Sequence, residues 1–529
     1  MRWFFALAMA LLLCCCVQEE TKIETPTPTP PETPTTTVPT TPLTTPSEKK
    51  ELKEVVPVKE REEIPKEFLI KLKPWPLVRG TERSDCYTPE IPRRPEIAGI
   101  ANVSANFRGE ISTPVVDDIV FLFDSQRVYA YRDELLWSFN VEESFGKDIK
   151  AYALGDYLYV GTTAGKKGFS LIAFEKESGK IAWHKEVDIA GSVSALTVSD
   201  LVCVGTDNLD PWVMCFTQDG ELRWKAKVAG TVNGFAVGNG KLFVSSNKLY
   251  AFELKTGKLL WEIDKSYSAP LYKNGIVFVT LYGYVYAFSE DGKQLWKKYF
   301  GAGEDQYFNP LLSASDYALY IPRTLGEKNL ALQVVDFDGN LLGLFNLTKD
   351  EIPGFPVASN SVVILPAKTE SYGKIYILWR GTEKLYELKH AGSEVFMPKV
   401  AVSNGKIYVV FSDNRSSQKL YVLSDRNVPR IASVEVSAEN DELAISALVS
   451  DPESAIYRVS LAYFDGGKWN YKDMDLGRRY VREPVGGYGL SEELYTATLR
   501  VEERVEFYVV AVDNSNNVAY SKVYAYALT

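Results

Sequence analysis

Histidine is nearly missing from this 529-residue chain, which carries two, His184 and His390. Two histidines far apart in sequence exclude a three-His or HExxH zinc centre. Both are expected as solvent-facing strand residues rather than bases or ligands. Basic residues are too few to dominate: 59 Lys and Arg stand against 69 Asp and Glu, a net charge of −10. The basic stripe that binds phosphate backbones is therefore lacking, and nucleic acid is not an expected partner. No GxSxG elbow and no phosphate-cradling glycine loop occurs, so the usual nucleophile and nucleotide signatures are missing. The six cysteines are also sparse, and three of them are consecutive at positions 14–16. The last hundred residues contain none.

Long apolar runs are confined to the start of the chain. Arg2 precedes an eleven-residue apolar stretch, residues 3–13, which Cys14, Cys15 and Cys16 close. That length suits an export signal better than a membrane-spanning helix. Cysteine at such a position resembles the lipobox of secreted lipoproteins, so one of the three is the expected lipid attachment, with Cys15 or Cys16 better placed than Cys14. Residues 21–47 hold 12 Thr, 8 Pro and no Gly. This composition buries no core and reads as an extended, O-glycosylated stalk, followed by a charged linker to residue 66. Sequons at Asn102, Asn346 and Asn414 mark candidate N-glycosylation sites and agree with an extracytoplasmic, membrane-anchored address.

What the chain has in abundance is a repeat that ends in tryptophan. Trp137, Trp183, Trp224, Trp261 and Trp296 lie 46, 41, 37 and 35 residues apart. Each closes the same phrase of two apolar strands, a glycine turn and a last strand. Four short strands per period of roughly 35 to 50 residues is the pattern of β-propeller blades. Eight units begin near Val115, Ala153, Thr197, Ala236, Leu271, Leu312, Val357 and Ala401. Pairs such as Thr256-Gly257 and Asp291-Gly292 supply the positive-φ turns between third and fourth strands. Pro114, Pro270, Pro310, Pro356 and Pro398 introduce first strands, where a missing N–H breaks no ladder bond. The eighth unit has no fourth strand before Pro429. An open blade leaves an unpaired edge, so the apolar residues 97–107 are expected to pair beside residues 419–423 and close the ring.

The motifs Leu249-Tyr-Ala-Phe and Thr256-Gly-Lys-Leu-Leu-Trp261 resemble the repeat of pyrroloquinoline-quinone-like (PQQ-like) propellers. Trp75-Pro-Leu-Val-Arg-Gly with Cys86-Tyr-Thr-Pro89 is similar to the segment that precedes such propellers. The resemblance implies an eight-bladed ring over residues 67–430 and a blade-docking role for Trp137, Trp183, Trp224, Trp261 and Trp296. Phe345 and Leu388 stand near the expected Trp positions of the sixth and seventh units. Quinoprotein dehydrogenases of this resemblance need a vicinal Cys pair, a calcium site and a catalytic Asp in the propeller, and the only adjacent cysteines are in the export signal. No catalytic residue, cofactor or metal is therefore assigned.

Residues 431–529 change period to short alternating strands that suit an immunoglobulin or fibronectin-like sandwich. The fold class is all-β, a propeller followed by a sandwich. Asp336-Phe-Asp338-Gly-Asn340 and Asp513-Asn-Ser-Asn-Asn517 read as turns first and ion sites second. Cys203 and Cys215 flank one hairpin, and alignment with its neighbour puts them on opposite faces unless an insertion shifts the register, which leaves a disulfide open. The functional expectation is a non-catalytic surface scaffold that binds a protein or envelope polymer, with Tyr267, Tyr307, Phe308, Phe355 and Phe396 as a candidate binding face. Glycan recognition is the alternative, and a quinone-dependent enzyme the second alternative.

Overall fold

The computed structural model describes residues 51–69, 75, 77, 79–81, 83–86, 88, 91–103, 111–301, 311–325, 329–348, 350–413, 418–451, 453–454, 456–481 and 491–529. The cysteines at 14–16 and the stalk lie outside the described residues, as do Tyr307, Phe308 and Asn414.

Among the described residues, strands Val115–Val116, Ile149–Leu154, Val193–Val198, Gly234–Gly238, Leu271–Lys273, Ser313–Ala314, Ile352–Pro353 (followed by Val357–Ala358 in the same sheet) and Lys399–Ser403 mark eight successive antiparallel sheets. Every sheet presents apolar side chains on both faces, because each is packed between two others. Cys203, Val213, Phe235 and Val244 join the third sheet to the fourth. Leu271, Phe278, Leu319 and Ile321 join the fifth to the sixth. Val362, Val400, Val409, Val120 and Leu122 share one cluster, so the seventh and eighth sheets meet the first and the ring closes.

Closure uses both ends of the domain. The strand Glu96–Asn102 lies antiparallel to Gln418–Ser424 as the outer strand of the eighth sheet, with Ile100 opposite Tyr421 and Asn102 opposite Lys419. The strand is described over Glu96–Asn102, and residues 104–107 of the expected span lie outside the described residues.

The recurring tryptophans sit on the outer strands. Their indole N–H groups donate to a turn carbonyl of the following sheet: Trp137 to Lys176, Trp183 to Gln218, Trp224 to Leu254, Trp261 to Glu290 and Trp296 to Phe337, all at 2.7–2.9 Å. The turn glycines lie flat against these rings. A Cβ on Gly257, whose φ is +72°, would sit 2.4 Å from the Trp224 ring. Gly257→Ala therefore adds a clash to an unfavourable backbone conformation and should cost roughly 2–3 kcal/mol in urea unfolding.

Register corrects the expectation for the sixth and seventh sheets. Trp296 pairs with Ala287 just after a bulge, and the matching positions are Gly343 opposite Val334 and Tyr386 opposite Ile377, not Phe345 and Leu388. At Gly343, Thr382 of the next sheet occupies the space a ring would take. Phe345 still packs edge-on against Tyr376 of the seventh sheet at 5.2 Å.

Cys203 and Cys215 are directly opposed in the third sheet and joined by a disulfide. The expectation of opposite faces is corrected: the extra residues at 207–211 lengthen the hairpin and bring the two side chains to one side. Cys86 is a free thiol, buried, and pushed up to about 11 by that burial.

The C-terminal strands form two antiparallel sheets. One contains Arg430–Glu439, Glu442–Ser450, Ser491–Arg500 and Asp475–Val481; the other contains Ile456–Asp465, Lys468–Asp473, Arg504–Asp513, Val518–Tyr520 and Tyr524–Leu528. Leu443, Ile445 and Val449 of the first meet Leu461, Phe507 and Val509 of the second in a common core. The charged stretch read as linker also belongs here. Leu52–Glu54 pairs with Tyr524–Leu528, Ile64 is buried beside Trp469 and Tyr508, and the Trp469 indole N–H donates to the Glu60 carbonyl at 3.1 Å. Its charges face outward while its backbone extends a sheet, so the linker reading is corrected from residue 51 onward.

Candidate functional site at the mouth of the ring

The axis of the ring is occupied by the chain's own entry segment, within residues 75–88. Trp75 exchanges backbone hydrogen bonds with Val116 of the first sheet. The Ser84 hydroxyl donates to the Phe235 carbonyl at 2.6 Å. Backbone N–H groups of Tyr272 and Ala314 donate to the carbonyls of Arg83 and Asp85, and Cys86 and Thr88 bond to Ala358. The Arg79 guanidinium reaches the carbonyls of Pro270 and Leu312, each at 3.1 Å. Inner strands from several sheets thus use unpaired edge groups to hold one segment.

A buried ion pair fastens it. The Lys273 ammonium lies 3.4 Å from Asp85 of the segment and 3.0 Å from Asp316 of the sixth sheet, with both Lys273 and Asp85 almost wholly enclosed. Lys273→Met should cost about 3–5 kcal/mol, because it removes one partner of a buried ion pair. Thermal unfolding of the variant checks this, and an unchanged midpoint would contradict it.

Above the segment, on the side where the first strands enter, lie two cavities. The larger, about 420 Å³, is lined by Leu77, Arg79, Lys150, Tyr152, Asn233 and Phe355 among others. The second, about 370 Å³, is more apolar and includes Pro353, Phe355, Pro366, Met397 and Pro398. Phe355 borders both and is 44% exposed. Among the described residues, the charged lining groups are Arg79, Lys150 and Lys399, all cationic, and neither lining contains Asp or Glu.

Of the candidate face, Phe355 lines both cavities. Tyr267 does not: it is buried between the fourth and fifth sheets, edge-on to Tyr286 at 5.1 Å and Phe288 at 5.9 Å. Phe396 is half-buried and lines neither cavity. Sequence reasoning missed Arg79, Lys150 and Met397. Their signal was positional, since each lies in the entry segment or next to the start of an inner strand.

Other sites weighed from sequence resolve as structural groups. His184 is half-buried, 3.0 Å from the Ser170 hydroxyl, and His390 is half-buried, 3.1 Å from the Tyr421 hydroxyl. They are not the solvent-facing residues expected, and burial holds both imidazoles below their ordinary range. Asp336 caps its own turn by accepting from the N–H groups of Asp338 and Asn340. Asn346 is exposed at the end of its strand.

The family model for outer membrane protein assembly factor BamB matches residues 124–210 and 209–348. No curated protein matches the sequence. Among solved structures, a europium-containing methanol dehydrogenase is 11% identical with a TM-score of 0.50, covering 67% of this chain and 98% of its own. BamB from Moraxella catarrhalis is 14% identical with a TM-score of 0.46, covering 63% of this chain and 100% of its own. Sqt1 of Saccharomyces cerevisiae is 13% identical with a TM-score of 0.49, covering 63% and 99%. The repeat family and the ring of four-stranded sheets agree: this chain carries a PQQ-like β-propeller.

Proposed function

We propose that the ring is a non-catalytic assembly platform, held at the cell surface, on which a protein partner seats at the mouth. The observation that carries this reading is the filled axis. Residues within 75–88 occupy the centre of the ring and are tied by main-chain bonds to its inner strands. What remains is a mouth with cationic groups, apolar prolines and, among the described residues, the exposed aromatic Phe355, which suits the face of another macromolecule. The family model's own description, an assembly factor, points the same way.

A quinone with a bound metal does not fit the residues present. Among the described residues, neither cavity lining offers a carboxylate to hold a cation or take a proton. The propeller's one cysteine pair is twelve residues apart and spans two strands, rather than being adjacent. For an envelope polymer, several exposed aromatics beside amides would be needed. Among the described lining aromatics Trp75, Tyr152 and Phe235 are buried and Phe355 is exposed.

A lipid on one of Cys14, Cys15 or Cys16 would anchor the chain, and residues 21–47 would hold it off the membrane. No helix among the described residues is long and apolar enough to cross a membrane. The C-terminal sandwich is read as an immunoglobulin-like companion. The test is to reconstitute the full chain with pyrroloquinoline quinone and calcium and to follow dye reduction with alcohols and aldoses. No turnover is expected, and quinone-dependent reduction would overturn the reading.

A further inference from the structure

Where the propeller meets the sandwich, three loops bring Asp425, Asp451 and Asp513 together. Asp425 follows the last propeller strand, Gln418–Ser424; Asp451 follows Glu442–Ser450; Asp513 ends Arg504–Asp513. All three are at least 96% buried. One carboxylate oxygen from each lies within 4.8 Å of the others. Among the described residues, none of the three forms an ion pair.

The loops are built to hold these carboxylates in place. Asp451 Oδ1 accepts from the N–H groups of Glu453 and Ser454 at 2.9 and 2.8 Å. Asp513 Oδ1 accepts from the N–H groups of Ser515 and Asn517 at 2.7 and 2.8 Å. Asp425 Oδ1 accepts from the Asn427 N–H at 2.9 Å. The second oxygens of Asp425 and Asp513 converge. The Ser454 hydroxyl lies between Asp425 Oδ2 and Asp513 Oδ2, and Asn517 donates to Asp513 Oδ2 at 2.8 Å. Asp451 Oδ2 is buried with no partner. A buried carboxylate oxygen without a donor or cation is costly, and two further buried carboxylates beside it add to the cost.

We propose that this cluster is a calcium site that ties the propeller to the sandwich. The available ligands are hard oxygens on irregular loops, which match the six to eight oxygens Ca²⁺ accepts more readily than the strict octahedron of Mg²⁺. The nitrogen and sulfur ligands that zinc prefers are not in the cluster. The two modules already touch here: the N–H groups of Arg93 and Arg94 donate to the Glu453 carbonyl, and Gly405 of the eighth sheet packs against Ser515. A cation held by Asp425 from one module and by Asp451 and Asp513 from the other would fix their relative orientation. This inference does not rest on the proposed function of the mouth.

The test is calorimetric titration of CaCl₂ into chelator-treated full chain, in parallel with Asp451→Asn. One Ca²⁺ per chain is expected, with affinity lowered at least about tenfold in the variant. Calcium should raise the thermal midpoint of the wild type and not that of the variant. Hydrogen exchange on the wild type alone provides a second reading: calcium should slow exchange at residues 425–427, 451–454 and 513–517. No binding at millimolar calcium, equal affinity in Asp451→Asn, or protection confined to other segments would overturn the site. An equal response to Mg²⁺ would overturn its assignment to calcium.

Discussion

Deleting Glu96–Asn102 should abolish cooperative folding of the propeller. The strand supplies the whole outer edge of the eighth sheet, paired with Gln418–Ser424 from the other end of the domain. Ladder hydrogen bonds at ~1 kcal/mol each, with the burial they bring, amount to a large share of the roughly 5–15 kcal/mol that holds a typical domain together. Deletion also exposes an unpaired edge, which invites association. Urea unfolding followed by tryptophan fluorescence reads the result. Deleting residues 21–47 is the control and should leave the midpoint unchanged, since that segment has no composition with which to bury a core. A deletion of Glu96–Asn102 that retained the wild-type midpoint would show that the ring closes without its latch.

Replacing one docking tryptophan should have the next largest effect. Trp261→Ala and Trp296→Ala are each expected to destabilise the ring by roughly 3–5 kcal/mol, the range for truncating a large aromatic in a packed site. Each ring fills the space over the next sheet's turn glycine, Gly292 or Gly339, and each indole donates to a carbonyl in that turn. Trp261→Phe separates the two contributions. It keeps most of the apolar contact and loses the hydrogen bond to Glu290, so about 1–2 kcal/mol should go. An alanine variant with an unchanged melting temperature would remove the inter-sheet staple from the account.

The parts of the fold legible in the sequence were those that repeat. Tryptophan spacing, glycine turns and entry prolines located the first strands, and the missing fourth strand pointed to the latch. Period alone does not say which way a residue faces, and Tyr267 shows the consequence: it sits near a proline entry yet points between sheets rather than into the mouth. Counted from the bulge common to these outer strands, the Trp-equivalent positions are Gly343 and Tyr386, two residues before Phe345 and Leu388. Composition misled at residues 51–66, where charged side chains cover a backbone that extends a sheet. The calcium cluster was half legible. The turn at 513–517 was recognisable as a loop with ion-binding residue types. Its partners at 425 and 451 are brought to it only by the packing of two modules, which no local pattern reports.

The mouth is the centre of the functional account, and one measurement addresses it directly. A photo-crosslinking residue placed at Phe355 in the full chain, in its native cells, should capture a discrete protein partner. The same residue at Leu260, exposed on the outer strand of the fourth sheet, should not capture it. Capture that depends on Phe355 and is lost when Lys150 is changed to Glu is the predicted result. Equal capture from Leu260, or no protein adduct at Phe355 while that chain remains folded, would contradict the platform reading.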